Sequence, residues 1–404
     1  MRRRLSGRTV LLGVTGSIAA YKACEIASRL VEHGASVIPA LTRSARELVG
    51  PASLEAVTGH RAILEMFERP VPPEIEHIAV ARRADLFLIA PATANILAKA
   101  AHGIADDWLS TTLLATRAPL LFAPAMNTDM WTHPATRDNV ALLKQRVALF
   151  VGPGSGRLAC GTEGEGRLIE TSAILEAAAM ALTREKDLAG KTVLITSGAN
   201  HEPLDPVRYL GNRSTGRMGH AVALAALCRG ARVVVVAGPS EVPPPHAAEV
   251  VRVETALEMR DAVMERLDGA DVFIAAAAVA DYRPETRHQA KMKRGGGSLT
   301  LSLVPNPDIA AEAGRRRRAG QVLVGFAAET DNVPDHGQGK LQAKGLDLLV
   351  ANRVGGDGCA IGSDESEAWL VGAENGPLSL GRLGKDALAD ALLDAAAARL
   401  APAD

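Results

Sequence analysis

Aromatic side chains are scarce in this 404-residue chain, which has six Phe, three Trp and three Tyr. That argues against a base-stacking platform, which needs several exposed rings. Neither sign of charge is in excess: 45 Lys and Arg stand against 46 Asp and Glu, a formal net charge of −1. A dedicated nucleic-acid binder needs a basic field, and there is none. Only four cysteines occur, Cys24, Cys160, Cys228 and Cys359, with no C-x-x-C pair and no His at ligand spacing. A structural zinc site or a disulfide framework is disfavoured; a reducing cytoplasm fits, where a special cysteine would act as a thiol. No apolar run approaches the roughly 20 residues that cross a bilayer, so no membrane partner is expected. G-x-x-x-x-G-K-[ST] is absent, which excludes a P-loop.

What is present is a folded α/β composition. Hydrophobic residues make up 47% of the chain, enough to bury large cores, and the 38 Gly and 22 Pro sit at turns between apolar runs. Met1–Arg4 followed by Thr9–Leu12 has the outline of a secretory leader. Gly13, Thr15, Gly16 and Ser17 break the apolar stretch, and a strand followed by a phosphate loop is the preferred reading.

The two halves share a rhythm. Arg8–Leu12 matches Lys191–Ile195, His33–Ile38 matches Arg229–Val234, and Ala84–Leu88 matches Ala270–Ile274. Each run is short, apolar and β-branched, with helical patterns between, such as Ile18–Glu32 and Met218–Arg229. Buried strands alternating with helices predict parallel sheets covered on both faces. The expected fold is therefore α/β: two tandem doubly wound, Rossmann-like domains, the first flavodoxin-like, with boundaries 1–188 and 189–404. The charged run Arg184–Asp187 marks the break. From Thr9 to Gly34 is 25 positions and from Thr192 to Gly230 is 38, the excess falling in 200–215. Ligands bind at the carboxyl ends of such strands, so that extended loop is a functional candidate.

In the first half, Val14-Thr15-Gly16-Ser17-Ile18 leads from a strand into a helix, where free N–H groups and the dipole suit a phosphate. A plain Thr/Ser cap reads equally well. No acidic residue closes the second strand; Leu41-Thr42-Arg43-Ser44 stands there, which disfavours NAD. Ala90–Asn95 and Phe122–Asn127 put small and amide residues at the sheet edge, where Asn127 binds a carboxylate or, more simply, caps a turn. His77, taken alone, reads as structural or solvated. Val151–Gly166 holds six glycines and Cys160, a composition suited to a mobile lid bearing a proton donor or nucleophile, or to a loop with an incidental thiol.

Thr15–Lys22, Pro124–Asn127 and Ala159-Cys160-Gly161 with Gly164, Gly166 and Arg167 together resemble the flavin-dependent cysteine decarboxylases, which turn 4′-phosphopantothenoylcysteine into 4′-phosphopantetheine. The resemblance implies FMN at Gly16, Ser17, Ile18, Thr42, Ser44, Thr93, Ala94, Asn95, Ile96 and Ala125. It implies that flavin oxidises the thiol side to a thioaldehyde, the electron sink for CO2 loss, and then returns the electrons. His77 would serve oxidative decarboxylation, Asn127 would hold the substrate carboxylate, and Cys160 would protonate the enethiolate. It also implies a homo-oligomer with flavin sites between subunits.

The second half looks built for phosphate without a P-loop. Gly211–Gly219 combines small, hydroxyl and basic residues at a helix start, which favours an anion or simply makes a capped turn. Ala275–Ala280 lets a base or ribose approach the backbone, or packs a helix tightly. Lys291–Gly297 reads as a basic arm ending in a hairpin turn, and Lys340 and Lys344 share a helix face; both also read as solvated surface. Glu202–Tyr209, Ala280-Asp281-Tyr282, Asn306-Pro307-Asp308-Ile309 and Gly325–Thr330 together resemble the phosphopantothenate–cysteine ligases of coenzyme A biosynthesis. Bacterial members activate the carboxylate with CTP as an acyl-cytidylate, which the cysteine amine captures, with Mg²⁺ bridging the triphosphate. The resemblance assigns acyl-cytidylate formation to Lys291 and its conversion to Asn212. It assigns CTP contacts to Ala275, Ala276, Ala277, Asp281, Pro307, Asp308, Ile309, Ala310, Phe326, Lys340 and Lys344; metal ligands are not assigned. Three departures stand out. Gly198-Ala199-Asn200-His201 replaces Gly-Pro-Thr-Arg, Ser214-Thr215-Gly216 replaces Ser-Ser-Gly, and Pro305 replaces a lysine. The expected function is a cytoplasmic bifunctional enzyme acting on 4′-phosphopantothenate, cysteine and 4′-phosphopantothenoylcysteine. The alternative is a flavoprotein-fold regulatory subunit without catalysis, which predicts a missing Cys or Asn.

Overall fold

The computed structural model describes residues 1–66, 76–293, 298–355, 363–372 and 376–400. The tip of the basic arm (294–297) and Cys359 lie outside them. The chain divides into two units, residues 1–184 and 185–404. The break falls inside the charged run, after Arg184; Lys186 Nζ donates to Cys228 O at 2.7 Å and Asp187 pairs with Arg229, both within the second unit.

The first unit is built on five strands: β1 (Thr9–Val14), β2 (Ser36–Leu41), β3 (Leu86–Ala92), β4 (Leu120–Pro124) and β5 (Leu149–Phe150). All pair in parallel, in the order 2-1-3-4-5. Their central residues are almost fully buried, as continuous Val/Ile/Leu runs require when helices cover both faces. A hairpin, β6 (Gly154–Arg157) and β7 (Glu163–Arg167), follows. This is where the glycine-rich segment differs from a structureless lid. Its glycines permit close approach: a Cβ on Gly166 would lie 2.2 Å from Met126 O, and one on Gly164 2.6 Å from Thr128 Oγ1.

The second unit opens with β8 (Thr192–Ser197), then a short ribbon of β9 (Glu202–Pro203) and β10 (Tyr209–Leu210), then β11 (Arg232–Ala237), β12 (Glu249–Arg252) and β13 (Val272–Ala275). A second ribbon, β14 (Tyr282–Pro284) with β15 (Leu303–Pro305), precedes β16 (Val322–Glu329), β17 (Leu348–Arg353), β18 (Glu365–Gly372) and β19 (Leu378–Gly384). The main sheet runs 12-11-8-13-16-17-18-19. Its first six strands are parallel and, counted in chain order, fall 3-2-1-4-5-6, the Rossmann order. The last two are antiparallel, a departure from a wholly parallel sheet. β19 is largely exposed, as an edge strand with one solvated face can be.

The internal repeat extends to single hydrogen bonds. Thr9 N donates to the Asp85 carboxylate at 2.9 Å, and Thr192 N donates to that of Asp271 at 2.8 Å. In return Asp85 N and Asp271 N donate to Thr9 O and Thr192 O. Gly34 and Gly230 both take a φ of +87°, which explains glycine before each second strand. Among the described residues no helix is long and apolar enough to cross a membrane.

Candidate functional site

In each unit the strand order reverses at the first parallel strand, between β1 and β3 in one unit and between β8 and β13 in the other. Loops at the carboxyl ends of those strands form the crevice where α/β ligands sit.

In the first unit the loops are stitched together along one edge. Thr15 Oγ1 donates to Pro91 O at 2.7 Å and accepts from Thr93 N at 3.1 Å. Thr42 N donates to Val14 O, and Ala125 N to Ala92 O, each at 3.0 Å. Gly16 lies so close to Ser44 that a Cβ would meet that side chain at 2.4 Å. Ser17, Thr42 and Thr93 cap helical starts at the exits of β1, β2 and β3, accepting from Ala19 N, Ala45 N and Ile96 N. Thus Gly16, Ser17, Ile18, Thr42, Ser44, Thr93, Ala94, Asn95, Ile96 and Ala125 line one sheet edge. Three capped N-termini in a row suit a phosphate-bearing cofactor.

Asn127 and Cys160 are also brought together. Asn127 Oδ1 accepts from Asp129 N at 2.8 Å, which turns Nδ2 toward Cys160 Sγ, 3.5 Å away. Met126 N donates to Gly166 O at 2.9 Å, so the hairpin carrying Cys160 is docked on the segment carrying Asn127. Cys160 Sγ lies 3.1 Å from Thr162 Oγ1. Hydrogen bonds from Thr162, chiefly, and from Asn127 hold the exposed thiol below its ordinary pKa. His77 stands half-buried in the first turn of the helix Glu76–Arg83. No hydrogen bond joins it to Asn127 or Cys160 among the described residues.

In the second unit a cavity of about 490 Å³ opens at the switch point. Ala275, Ala276, Ala277 and Asp281 from the exit of β13, Pro307–Ala310 at the next helix start, Phe326 of β16, and Lys340 and Lys344 wall it, together with Asn212. Asp308 caps the helix Ile309–Arg316 by accepting from Ala311 N at 3.0 Å. Lys344 Nζ is 3.0 Å from Asp308, and Lys340 Nζ 2.6 Å from Glu329, so internal carboxylates pin both ammonium groups at the rim. Burial raises the pKa of Asp308, but its cap bond and Lys344 outweigh this, leaving a net lowering. Asn212 Nδ2 donates to Val279 O at 2.9 Å.

Lys291 is exposed and does not wall the cavity. Its arm is held by a clasp in the extended loop. Asp205 accepts from Arg208 Nε at 3.0 Å and from Met292 N at 3.1 Å, while Arg208 Nη2 donates to Met292 O at 2.8 Å. Arg208, with the backbone N–H donors around it, keeps Asp205 far below the usual carboxylate range.

Of the departing residues, Asn200 has a clear structural role beside the shared Gly198. Gly198 has a φ of +83°, and a Cβ there would lie 2.6 Å from Gly238 O. Asn200 is fully buried: it accepts from Ala280 N at 2.7 Å and donates to the buried Glu202, which also accepts from Ala256 N at 2.8 Å. That network fixes the exit of β13 at the cavity wall. Beside Pro305, the Arg283 guanidinium donates to Pro305 O at 2.6 Å and to Asn306 Oδ1 at 3.2 Å, so a cation remains close by.

Sequence reasoning missed Lys385, Asn352 and Ser366, all on the cavity wall. For Lys385 a signal existed: it opens the helix Lys385–Ala397, at the end where the dipole disfavours a cation. Among the described residues no cluster of three or more His, Cys, Asp or Glu is arranged to hold a metal ion.

Residues 1–183 match the family model "Flavoprotein", and residues 188–400 match "DNA/pantothenate metabolism flavoprotein C-terminal domain". The chain is 45% identical over 363 residues to the Coenzyme A biosynthesis bifunctional protein CoaBC of Bacillus subtilis, covering 89% of each chain. It is 44% identical over 405 residues to the protein of that name from Mycobacterium tuberculosis, covering 96% of each. A crystal structure of the C-terminal domain of a Coenzyme A biosynthesis bifunctional protein CoaBC is 34% identical with a TM-score of 0.46, covering 53% of this chain and 97% of that one.

Proposed function

The chain belongs to the family of bifunctional coenzyme A biosynthesis proteins, and from that premise we propose which half carries which reaction and which side chains do the work. It is a bifunctional enzyme with a decarboxylase and a ligase activity. The second unit joins 4′-phosphopantothenate to cysteine at the expense of CTP. The first unit, with FMN, decarboxylates the 4′-phosphopantothenoylcysteine so formed to 4′-phosphopantetheine. The assignment places the functional boundary at 188/189. The observation that carries it is the 490 Å³ cavity at the switch point, on whose wall all eleven nucleotide-contact positions and Asn212 meet.

A carboxylate is a poor electrophile. In the ligase its oxygen attacks the α-phosphorus of CTP, pyrophosphate departs, and the cysteine amine then displaces CMP from the mixed anhydride. Small side chains at 275–277 let the base and ribose approach the backbone, and Phe326 offers an apolar face. Lys340 and Lys344, already held in place, meet the phosphates without reorganising. Mg²⁺, arriving with the nucleotide, would supply neutralisation of the triphosphate's charge. The Asp205–Arg208 clasp steers Lys291 toward the reacting carboxylate, and Asn212 orients the acyl-cytidylate for capture.

The edge formed by Gly16–Ile18, Thr42, Ser44, Thr93–Ile96 and Ala125 would hold FMN, its phosphate at the capped N-termini. When bound, FMN supplies the two-electron sink that makes loss of CO2 possible. Asn127 Nδ2 has two hydrogens; one faces Cys160, and the other is left for the substrate carboxylate. Cys160, its pKa lowered, delivers a proton to the product enethiolate. His77 serves the oxidative decarboxylation step. Ile18 and Tyr21, each 63% exposed beside the phosphate loop, support a homo-oligomer that buries them against a neighbouring subunit near the flavin. Light scattering on the purified chain reads that state. The enzyme works in the cytoplasm. The regulatory-subunit reading is not favoured, since Cys160, Asn127 and His77 are all present.

Lys291→Gln tests the division of labour. It is expected to lower ligation at least about 100-fold while decarboxylation of supplied 4′-phosphopantothenoylcysteine stays within about twofold of wild type. Loss of both activities together would contradict independent halves.

A further inference from the structure

Lys385 sits where its own helix disfavours it, and among the described residues it forms no ion pair. It is half-buried and walls both the large cavity and a second one of about 180 Å³, which also carries Arg213, Arg217 and Arg353. Met218, Ala328, Asn352 and Ser366 are likewise common to both walls, so the cavities adjoin at Lys385.

The nearby carboxylates are engaged elsewhere: Asp364 with Arg217 at 2.7 Å, Glu367 with Arg353 at 2.9 Å, and Glu365, which also lines the second cavity, with Arg382 at 2.9 Å. Lys385 Nζ donates to Ser363 O and forms no ion pair among the described residues. An ammonium has three donors, so two remain for a ligand. Partial burial pulls its pKa down; Asp364 opposes this and Arg217 adds to it. A half-desolvated cation without an anion is costly to keep, and a helix N-terminus raises that cost. An anionic ligand at the seam of the two cavities would offset both.

We propose that Lys385 binds the β,γ-diphosphate portion of the nucleoside triphosphate at this seam and stabilises pyrophosphate as it leaves. The inference rests on the ligase reading of the second unit. In the step concerned, a substrate carboxylate oxygen bonds to the α-phosphorus and the bond from that phosphorus to the α,β-bridging oxygen breaks. The electron pair stays on the bridging oxygen, and the ammonium meets the charge developing there.

Inorganic pyrophosphate is the probe, used on the full-length chain. Lys385→Gln keeps a donor for Ser363 O, Lys385→Met removes it, and Lys385→Arg restores the charge. Gln and Met are expected to weaken pyrophosphate inhibition about tenfold or more and to slow acyl-cytidylate formation about 10- to 100-fold, with KM for 4′-phosphopantothenate within about twofold. Arg is expected to recover most of both effects, which a merely structural role would not give. Unchanged pyrophosphate inhibition in a Gln variant that melts like wild type would overturn the role. A wild-type chain that releases no pyrophosphate from CTP and 4′-phosphopantothenate would overturn the ligase reading itself, and the inference with it.

Discussion

Cys160 owes its character to hydrogen bonds, since it is exposed and packs against little. Thr162 and Asn127 both stabilise sulfur in its charged form, so its pKa lies below that of an ordinary thiol. The sign is definite: removing a donor disfavours the thiolate and raises the pKa. Asn127→Ala is therefore expected to move the pH midpoint of Cys160 alkylation upward, and Thr162→Val to move it further; an unchanged midpoint in both would contradict the arrangement. Residue types raised Cys160 as a thiol and Asn127 as a turn cap or carboxylate binder, 33 positions apart, and the resemblance supplied their roles. Their contact was not legible, because it depends on a hairpin docking on a strand exit. Lys385 was less legible still. Its isolation follows from Asp364 turning to Arg217, a pairing across 147 positions.

The hairpin β6–β7 shows the same limit for a whole element. Six glycines in a row of sixteen residues look like flexibility, yet at least two are there for contact. Gly166 has a φ of +139° and touches Met126 O, so any side chain meets both strained backbone and a carbonyl. Gly166→Ala is expected to destabilise the docked hairpin by about 1–3 kcal/mol and to lower decarboxylation at least about tenfold, with ligation retained. Decarboxylation at the wild-type rate would show that docking is dispensable. In the second unit, the extra length at 200–215 pointed to a functional loop. The structure puts a ribbon and the Asp205–Arg208 clasp there, and the clasp's partner, Met292, lies in an arm 87 positions from Asp205. Gly198–His201 stood out only as a departure from Gly-Pro-Thr-Arg; in the structure its Asn200 is buried and holds Ala280 in place.

For the molecule as a whole, two doubly wound sheets were legible because buried parallel strands leave continuous apolar runs and because the halves repeat. Strand order was not written in those runs. The orders 2-1-3-4-5 and 3-2-1-4-5-6 arise from crossovers, which local pattern does not encode. The antiparallel edge, β18 and β19, was missed because its residues are partly solvated and lack the apolar signature of the interior strands. Once the orders are known, the switch points follow, and both candidate sites lie on them. The central claim is that one chain performs both reactions in sequence. It is tested most directly by incubating the purified protein with 4′-phosphopantothenate, cysteine, Mg²⁺ and either CTP or ATP, and weighing the products by mass spectrometry. The account predicts 4′-phosphopantetheine and CMP with CTP, and far less product with ATP; no nucleotide-dependent product from either would contradict it.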